Sequence, residues 1–172
     1  MLTFTRCSKM VTIPEGVTVE VANNEVTAKG PNGEVKKKFS RIITVEKKDN
    51  EVVVTGSEKE KAYIGTVNSI LNSMFHGVKE GFTTTMKVLH AHFPATLEVQ
   101  GDKVVIKNFI GEKHPRKSRI MGNAKVEVKG ANVTVSGPDK EAVGQTIANL
   151  KAAMKIKEKD CRIFQDGIYE TG

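Results

Sequence analysis

The residues best suited to chemistry lie in one cationic stretch, residues 108–120, which reads Asn-Phe-Ile-Gly-Glu-Lys-His-Pro-Arg-Lys-Ser-Arg-Ile. An Arg side chain can grip a phosphate as a bidentate fork, and a Lys side chain can bind it as a point charge. Gly111 and Pro115 interrupt the flanking apolar runs, and such residues are typical of turns. The pattern predicts an exposed loop, held by strands at both ends, that contacts phosphate groups. Its cations are Lys113, Arg116, Lys117 and Arg119.

The net charge favours a polyanionic partner. The 172 residues include 27 Lys and Arg against 20 Asp and Glu, a formal net charge of +7. Nucleic acid and an anionic membrane surface are the partners that such a charge favours, although a mildly basic soluble protein also carries it. Residues 83–172 hold +5 of this excess and residues 1–82 hold +2. We therefore expect the second half to make most of the electrostatic contact.

The first half of the chain predicts several short strands followed by one helix. Apolar residues alternate with polar ones, and turn-forming Asn, Asp, Gly and Pro separate the runs. After residue 56 the period changes. Ser57 and Glu60 form the pattern of a capping box, and an apolar stripe at helical spacing then runs to a predicted end at Gly77. The strand positions are Val17, Val19, Val21, Val26, Ala28, Val35, Phe39, Ile43, Val45, Val52 and Val54.

The second half repeats this plan at an offset of 78 to 81 residues. A second helical stripe comprises Val143, Ile147, Leu150 and Met154. The matched segments are Ile13–Pro14 with Phe93–Pro94, Gly33–Glu34 with Gly111–Glu112, Ser40–Ile42 with Ser118–Ile120, and Val52–Gly56 with Val133–Gly137. The repeat predicts an α+β fold by tandem duplication of a small domain, each copy a short-stranded, mostly antiparallel sheet packed with one helix.

This organisation gives three predicted segments. Residues 1–12 form a loose N-terminal lead-in, residues 13–80 the first repeat, and residues 83–172 the second repeat with the basic loop and a C-terminal tail. The junction is expected within residues 77–83.

Catalytic and metal-binding motifs are incomplete. Gly111–Ser118 resembles a phosphate-binding loop, but Arg116 stands where a Gly is required. The Gly-x-x-Gly of residues 30–33 lies between strand patterns, so a hairpin explains it better than a nucleotide clamp between helices. His90 and His92 have strand spacing and no third ligand nearby. We therefore predict no enzyme activity, no cofactor, no metal and no small-molecule substrate.

The two cysteines, Cys7 and Cys161, form no ligand-spaced cluster, which favours a reducing compartment. The N-terminus lacks the apolar region of a signal peptide, and no apolar run approaches the roughly 20 residues of a membrane span. We expect an intracellular protein with no membrane association.

Aromatic residues are few, with no Trp, two Tyr and seven Phe. Phe39, Phe93 and Phe109 are predicted to lie in hydrophobic cores, which leaves no stacking platform for single strands. This favours recognition of the backbone and shape of folded RNA. The first-half cations, Lys36, Lys37, Lys38 and Arg41, are explained either by RNA contact or by the solvated face of a strand.

The C-terminal segment, residues 154–169, carries a second group of cations. Positive charge near the end of a helix is favourable for dipole reasons alone. We hypothesise in addition that Phe164, Ile168 and Tyr169 pin this tail to the domain while its cations reach phosphate. The cations are Lys155, Lys157, Lys159 and Arg162.

Three segments resemble the large-subunit ribosomal protein six family in its archaeal and eukaryotic branch, whose eukaryotic member is called ribosomal protein nine. They are residues 108–117, residues 139–146 and the closing Arg-x-Phe-x-Asp-Gly-Ile-Tyr. The likeness covers residues 13–169. It implies a tandem-duplicated α+β fold that binds large-subunit rRNA mainly through the second domain, near the sarcin–ricin region where translation factors dock. The RNA contacts that it supports are Lys113, His114, Arg116, Lys117, Arg119, Lys155, Lys157, Lys159 and Arg162.

The expected function is therefore that of a structural constituent of the large ribosomal subunit in the cytoplasm. Its partners would be large-subunit rRNA, neighbouring ribosomal proteins and nearby translation factors. Arg116→Ala is expected to lower the log–log salt slope of RNA binding by ~1. One alternative is a free RNA-binding or regulatory protein that uses the same loop, and another is a nucleotide-dependent RNA-modifying enzyme.

Overall fold

The chain folds into two α+β units, one within residues 1–81 and the other within residues 82–172. The computed structural model describes residues 6–157, 159–160 and 162–171, apart from the side chains of residues 6, 7 and 58. Residues 1–5 of the predicted lead-in and Cys161 lie outside this description.

From residue 6 onward, where the structure describes it, the first unit contains two three-stranded antiparallel sheets and one helix. One sheet has the strand order β1-β6-β5 and the other the order β2-β3-β4. Alternation explains the packing, because Val52 and Val54 of β6 are fully buried and point to the same face. The elements are β1 Arg6–Thr12, β2 Thr18–Ala22, β3 Glu25–Gly30, β4 Gly33–Lys38, β5 Thr44–Lys48, β6 Glu51–Ser57, a 3₁₀ turn Glu58–Glu60 and α1 Lys61–Lys79.

The second unit has the same order of elements with one further strand. Its sheets have the orders β10-β9-β8 and β11-β12-β7-β13. Helix α2 buries Val143, Ile147 and Leu150 in the core of the unit, as its apolar stripe predicts. The elements are β7 Phe82–Leu89, β8 Thr96–Gln100, β9 Lys103–Lys107, a 3₁₀ turn Phe109–Gly111, β10 Arg116–Arg119, β11 Lys125–Lys129, β12 Asn132–Gly137, α2 Lys140–Ala153 and β13 Gly167–Glu170.

The predicted α+β tandem duplication is confirmed by these matching topologies. The sheet β1-β6-β5 corresponds to β7-β12-β11, and the sheet β2-β3-β4 corresponds to β8-β9-β10. Residues 6–12 are therefore the first strand of the first repeat and not a lead-in. Val11 pairs with Val52 as Met86 pairs with Val133. The sequence did not predict this strand, because Val11 is its one buried side chain among those described. Its apolar and polar residues therefore show no clear alternation.

The helix boundaries depart from prediction in one place. Helix α1 continues past Gly77, which is buried within it, to Lys79. The chain turns instead at Gly81, whose φ of 82° favours glycine. Glu60 accepts a hydrogen bond from the Ser57 amide at 3.0 Å, which is one half of the predicted capping box.

Within the described part of the chain, no helix is long and apolar enough to cross a membrane.

Candidate nucleic-acid interface

The cationic stretch occupies the β9–β10 hairpin of the second unit. The equivalent β3–β4 hairpin turns through residues 31–32, whereas β9 and β10 are joined by residues 108–115. Asn108, Ile110 and Gly111 adopt left-handed φ angles of 58°, 50° and 73° in this connection. Lys113 and His114 are exposed at its end. The longer loop is thus the main local difference between the two hairpins.

The predicted loop is shorter than expected, because Arg116–Arg119 form strand β10 and pair with β9. Successive side chains of a strand point to opposite faces. Lys117 and Arg119 are exposed, while Ser118 is buried and Arg116 is half-buried. The strand therefore separates its cations into an outer pair and one inner guanidinium.

The inner guanidinium of Arg116 is held by partners within the protein. Its Nε donates to Glu112 Oε2 at 2.7 Å and its Nη2 donates to Glu112 Oε1 at 2.5 Å. Its Nη1 donates to the carbonyl oxygens of Ala153 at 2.8 Å and Lys155 at 2.9 Å. The guanidinium also lies 4.7 Å from the ring centroid of the buried Phe109. Four of the five N–H groups are thus engaged.

This arrangement is an electrostatic clamp, which we call the Arg116 clamp: Arg116, Glu112 and the carbonyls of residues 153 and 155. Ala153 is the last residue of α2, and the last carbonyls of a helix lack intrahelical partners and carry partial negative charge, so a cation there is favourable. The hydrogen bond from Arg116 holds the pKa of Glu112 below its usual range, with partial burial opposing and the charge attraction adding to it. The clamp fixes the basic hairpin against the end of α2.

The clamp also brings two of the predicted cationic groups together. Lys155 supplies one of its carbonyls while its own side chain is exposed, and Lys157 follows, also exposed. Lys113 and His114 lie immediately beyond Glu112 on the other side. The end of α2 and the β9–β10 hairpin are therefore joined at residues that flank the exposed Lys155 and Lys113 side chains.

Lys159 and Arg162 belong to the C-terminal tail, which is tied down at a different point. The Lys159 ammonium lies 4.8 Å from the ring centroid of Phe164. Phe164 in turn stacks on His92 with ring centroids 4.6 Å apart. Arg162 is exposed, and its backbone amide donates to Asp160 Oδ1 at 2.9 Å.

The principal anchor of the tail is Asp166, which the sequence did not single out. Its side chain is 3% exposed and accepts hydrogen bonds from the backbone amides of Ala91 at 2.6 Å and His92 at 3.2 Å. The His92 Nδ1 atom lies 2.7 Å from Asp166 Oδ2. Burial alone would raise the pKa of Asp166, but these hydrogen bonds hold it below its usual value.

Two of the three residues expected to hold the tail, Phe164, Ile168 and Tyr169, make the expected contacts. Ile168 is buried on β13, and Phe164 makes the His92 contact, as hypothesised. Tyr169 is 47% exposed, so it is not a core anchor, although its hydroxyl donates to the Gln165 carbonyl at 3.2 Å. The strand pairing of β13 with β7, which the Asp-Gly sequence did not indicate, supplies the remaining attachment.

Charge pairing distinguishes the candidate cations from other lysines. Lys107 pairs with Glu98 at 2.8 Å and Lys151 with Glu170 at 2.7 Å. In the first unit, Lys36 pairs with Glu34 at 3.1 Å, and the hydrogen bond that Lys36 donates to Glu34 raises the pKa of Lys36. Among the described residues, the candidate cations that form no ion pair are Lys113, Lys117, Arg119, Lys155, Lys157, Lys159 and Arg162.

Two predictions about aromatic and histidine residues are wrong. Phe39 and Phe109 are buried as predicted, but Phe93 is 46% exposed. Strand pairing shows why: Ile13 corresponds to Val88, two residues after Met86, and not to Phe93. His90 and His92 do not lie on a strand, because β7 ends at Leu89. Among the described residues, no group of three or more His, Cys, Asp or Glu side chains could hold a metal ion.

The sequence profile of the family described as Ribosomal protein L6 matches residues 13–81 and 93–167, one segment in each unit. The chain belongs to the ribosomal protein L6 family. The double match follows the duplication seen in the fold, and the second segment contains the β9–β10 hairpin, α2 and most of the tail.

Relatives within the L6 family extend over almost the whole chain. Large ribosomal subunit protein uL6 of Methanobrevibacter smithii is 52% identical over 163 residues, which cover 92% of each protein. The uL6 of Methanosarcina mazei is 46% identical over 166 residues, 94% of each protein. The uL6 of Aeropyrum pernix is 44% identical over 92% of this chain and 90% of the relative.

Proposed function

We propose that this protein is a structural component of the large ribosomal subunit that binds large-subunit rRNA, mainly through its second unit, in the region where translation factors dock. It acts there without catalysis, beside neighbouring large-subunit proteins, in the cytoplasm. Membership of the L6 family and the names of its relatives support the ribosomal assignment.

The observation that carries the RNA-binding proposal is the row of unpaired, exposed cations on both sides of the Arg116 clamp. Lysines with carboxylate partners must give up those partners to bind phosphate, whereas Lys113, Lys117 and Lys155 need not. Each phosphate that such a cation neutralises releases condensed counterions, which favours binding at low salt. The candidate contacts are Lys113, His114, Lys117, Arg119, Lys155, Lys157, Lys159 and Arg162.

In the second part of the mechanism, the fold holds the cations of the hairpin and the tail in fixed relative positions. Phosphate contacts fix the orientation of a protein on RNA but do not read sequence, so their relative positions matter. The clamp sets the hairpin against α2, and Asp166 sets the tail against the loop that follows β7. A folded rRNA surface can therefore be matched by shape as well as by charge.

Sedimentation tests the ribosomal assignment. A tagged copy expressed in the source organism should travel with the large subunit through a sucrose gradient at moderate salt. A variant with Lys113→Glu, Lys117→Glu and Lys155→Glu should shift toward the free fractions. The matched control replaces three lysines that already have carboxylate partners, Lys107→Glu, Lys129→Glu and Lys151→Glu. Unaltered protein found only in the free fractions would contradict the proposal.

A further inference from the structure

An exposed aromatic ring stands beside the basic hairpin. Phe93 is 46% exposed and is not part of the hydrophobic core of its unit. The tip of its ring rests on Gly111, because a Cβ built on that glycine would lie 3.5 Å from Phe93 Cζ. The ring is therefore supported from within the protein and still accessible to solvent.

The segment that carries this ring is tied to the hairpin. The Asn108 side chain donates from Nδ2 to the carbonyl oxygen of Pro94 at 3.1 Å. Asn108 itself has φ 58°, and Ile110 has φ 50°, which is unusual for a β-branched residue. Such backbone conformations persist only where the surrounding structure enforces them, and they concentrate at binding sites.

The chain neighbours of the ring connect it to both basic segments, the hairpin and the tail. Lys113 and His114 follow Gly111 by two and three residues, and both are exposed. On the other side, the neighbouring His92 carries the Phe164 and Asp166 contacts that hold the tail. Phe93 thus stands where the basic hairpin and the basic tail are joined.

We propose that Phe93 is a stacking surface for an unpaired nucleobase of the bound RNA, an inference that rests on the proposed RNA-binding function. Every nucleobase has a π face that stacks on an aromatic ring, and this contact is independent of sequence. Nearby Lys113 and His114 hold the phosphates of the same nucleotides. The interface therefore combines backbone contacts with the insertion of one base, as in proteins that bind unpaired RNA loops.

The absence of Trp from the sequence allows a direct optical test. Phe93→Trp gives a protein with one indole, at the proposed stacking position. Titration with a fragment of large-subunit rRNA should quench its fluorescence along the binding curve. The control is Met10→Trp, at a position 65% exposed on β1 of the first unit, whose fluorescence should stay unchanged at saturation.

Affinity provides the second readout. Phe93→Leu keeps an apolar side chain over Gly111 but removes the aromatic face, so it should weaken RNA binding about 10-fold, within the range for loss of one stacked base. Its log–log salt slope should equal that of the unaltered protein, because no charge is lost. Phe93→Tyr should bind like the unaltered protein.

Two results would overturn the stacking proposal. One is an unquenched Phe93→Trp protein that is fully bound to RNA. The other is a Phe93→Leu protein with unaltered affinity. Failure of the unaltered protein to bind rRNA would instead contradict the proposed function, so the two failures are distinguishable.

Discussion

The Arg116 clamp predicts that Arg116 stabilises the second unit. The sequence alone predicts instead that Arg116 contacts RNA phosphate. Arg116→Gln removes the fork that joins Glu112 to the carbonyls of residues 153 and 155. Hydrogen bonds to charged groups contribute about 1.5–3 kcal/mol each, but the Arg116 side chain is 25% exposed and solvent screens part of this attraction. We therefore expect the second unit to lose about 2 kcal/mol of unfolding free energy.

Thermal unfolding followed by circular dichroism checks this value. For a unit of this size, about 2 kcal/mol corresponds to a fall in Tm of about 8–16 °C. Arg116→Lys should recover only part of the loss, because an ammonium cannot reproduce the planar fork. The matched control is Arg119→Gln, on the exposed face of the same strand, with little expected change in Tm.

RNA binding separates the two roles that Arg116 could have. Because its charge is already paired with Glu112, Arg116→Gln should leave the log–log salt slope unchanged at temperatures where the protein is folded. Arg119→Gln, which removes an unpaired cation, should lower that slope by ~1. If Arg116→Gln instead lowers the slope by a similar amount and leaves the Tm unaltered, Arg116 is a phosphate contact and not a structural clamp.

Other predictions concern the stability of each unit. Asp166→Asn should lower the free energy of unfolding by about 2–3 kcal/mol at pH 7, as measured by urea denaturation. The folded-state pKa of Asp166 is lowered. Its stabilising contribution is therefore complete above the unfolded-state pKa and is lost as the pH falls through the folded-state pKa. An unaltered acid profile in the variant would contradict this. Gly30→Ala should destabilise the first unit by about 1–3 kcal/mol, because the new Cβ would lie 2.4 Å from Val78 Cγ1. Gly144→Ala, in α2 with no atom within 4 Å of the added Cβ, should stabilise the second unit by up to about 1 kcal/mol; a loss at residue 144 or none at residue 30 would contradict this packing.

The sequence predicts the repeated α+β plan well because alternation and helical spacing are local properties of the chain. Strand β10 could also have been predicted, because its inward-facing Arg116 and Ser118 alternate with the outward-facing Lys117 and Arg119. The Gly and Pro that precede the strand suggested a loop instead. Aligning Ile13–Pro14 with Phe93–Pro94 likewise made Phe93 the predicted equivalent of Ile13. The second unit has extra residues between β7 and β8, so the true equivalent of Ile13 is Val88.

The sequence could not reveal the contacts that join distant segments. Arg116 meets carbonyls 37 and 39 residues away, and Asp166 meets amides 74 and 75 residues away. An Arg in a basic run and an Asp before a Gly are explained equally well by phosphate binding and by a turn. Only the folded arrangement distinguishes a cation that faces solvent from one whose N–H groups are already used.

Photo-crosslinking within intact large subunits can show whether the outer face of β10 contacts rRNA. A photoreactive amino acid would be placed at position 117, on the outer face of β10, and separately at position 129, where Lys129 pairs with Glu127 at 3.3 Å. We expect a covalent adduct with large-subunit rRNA from position 117 and a much weaker one from position 129. An rRNA adduct from position 129 with none from position 117 would contradict it.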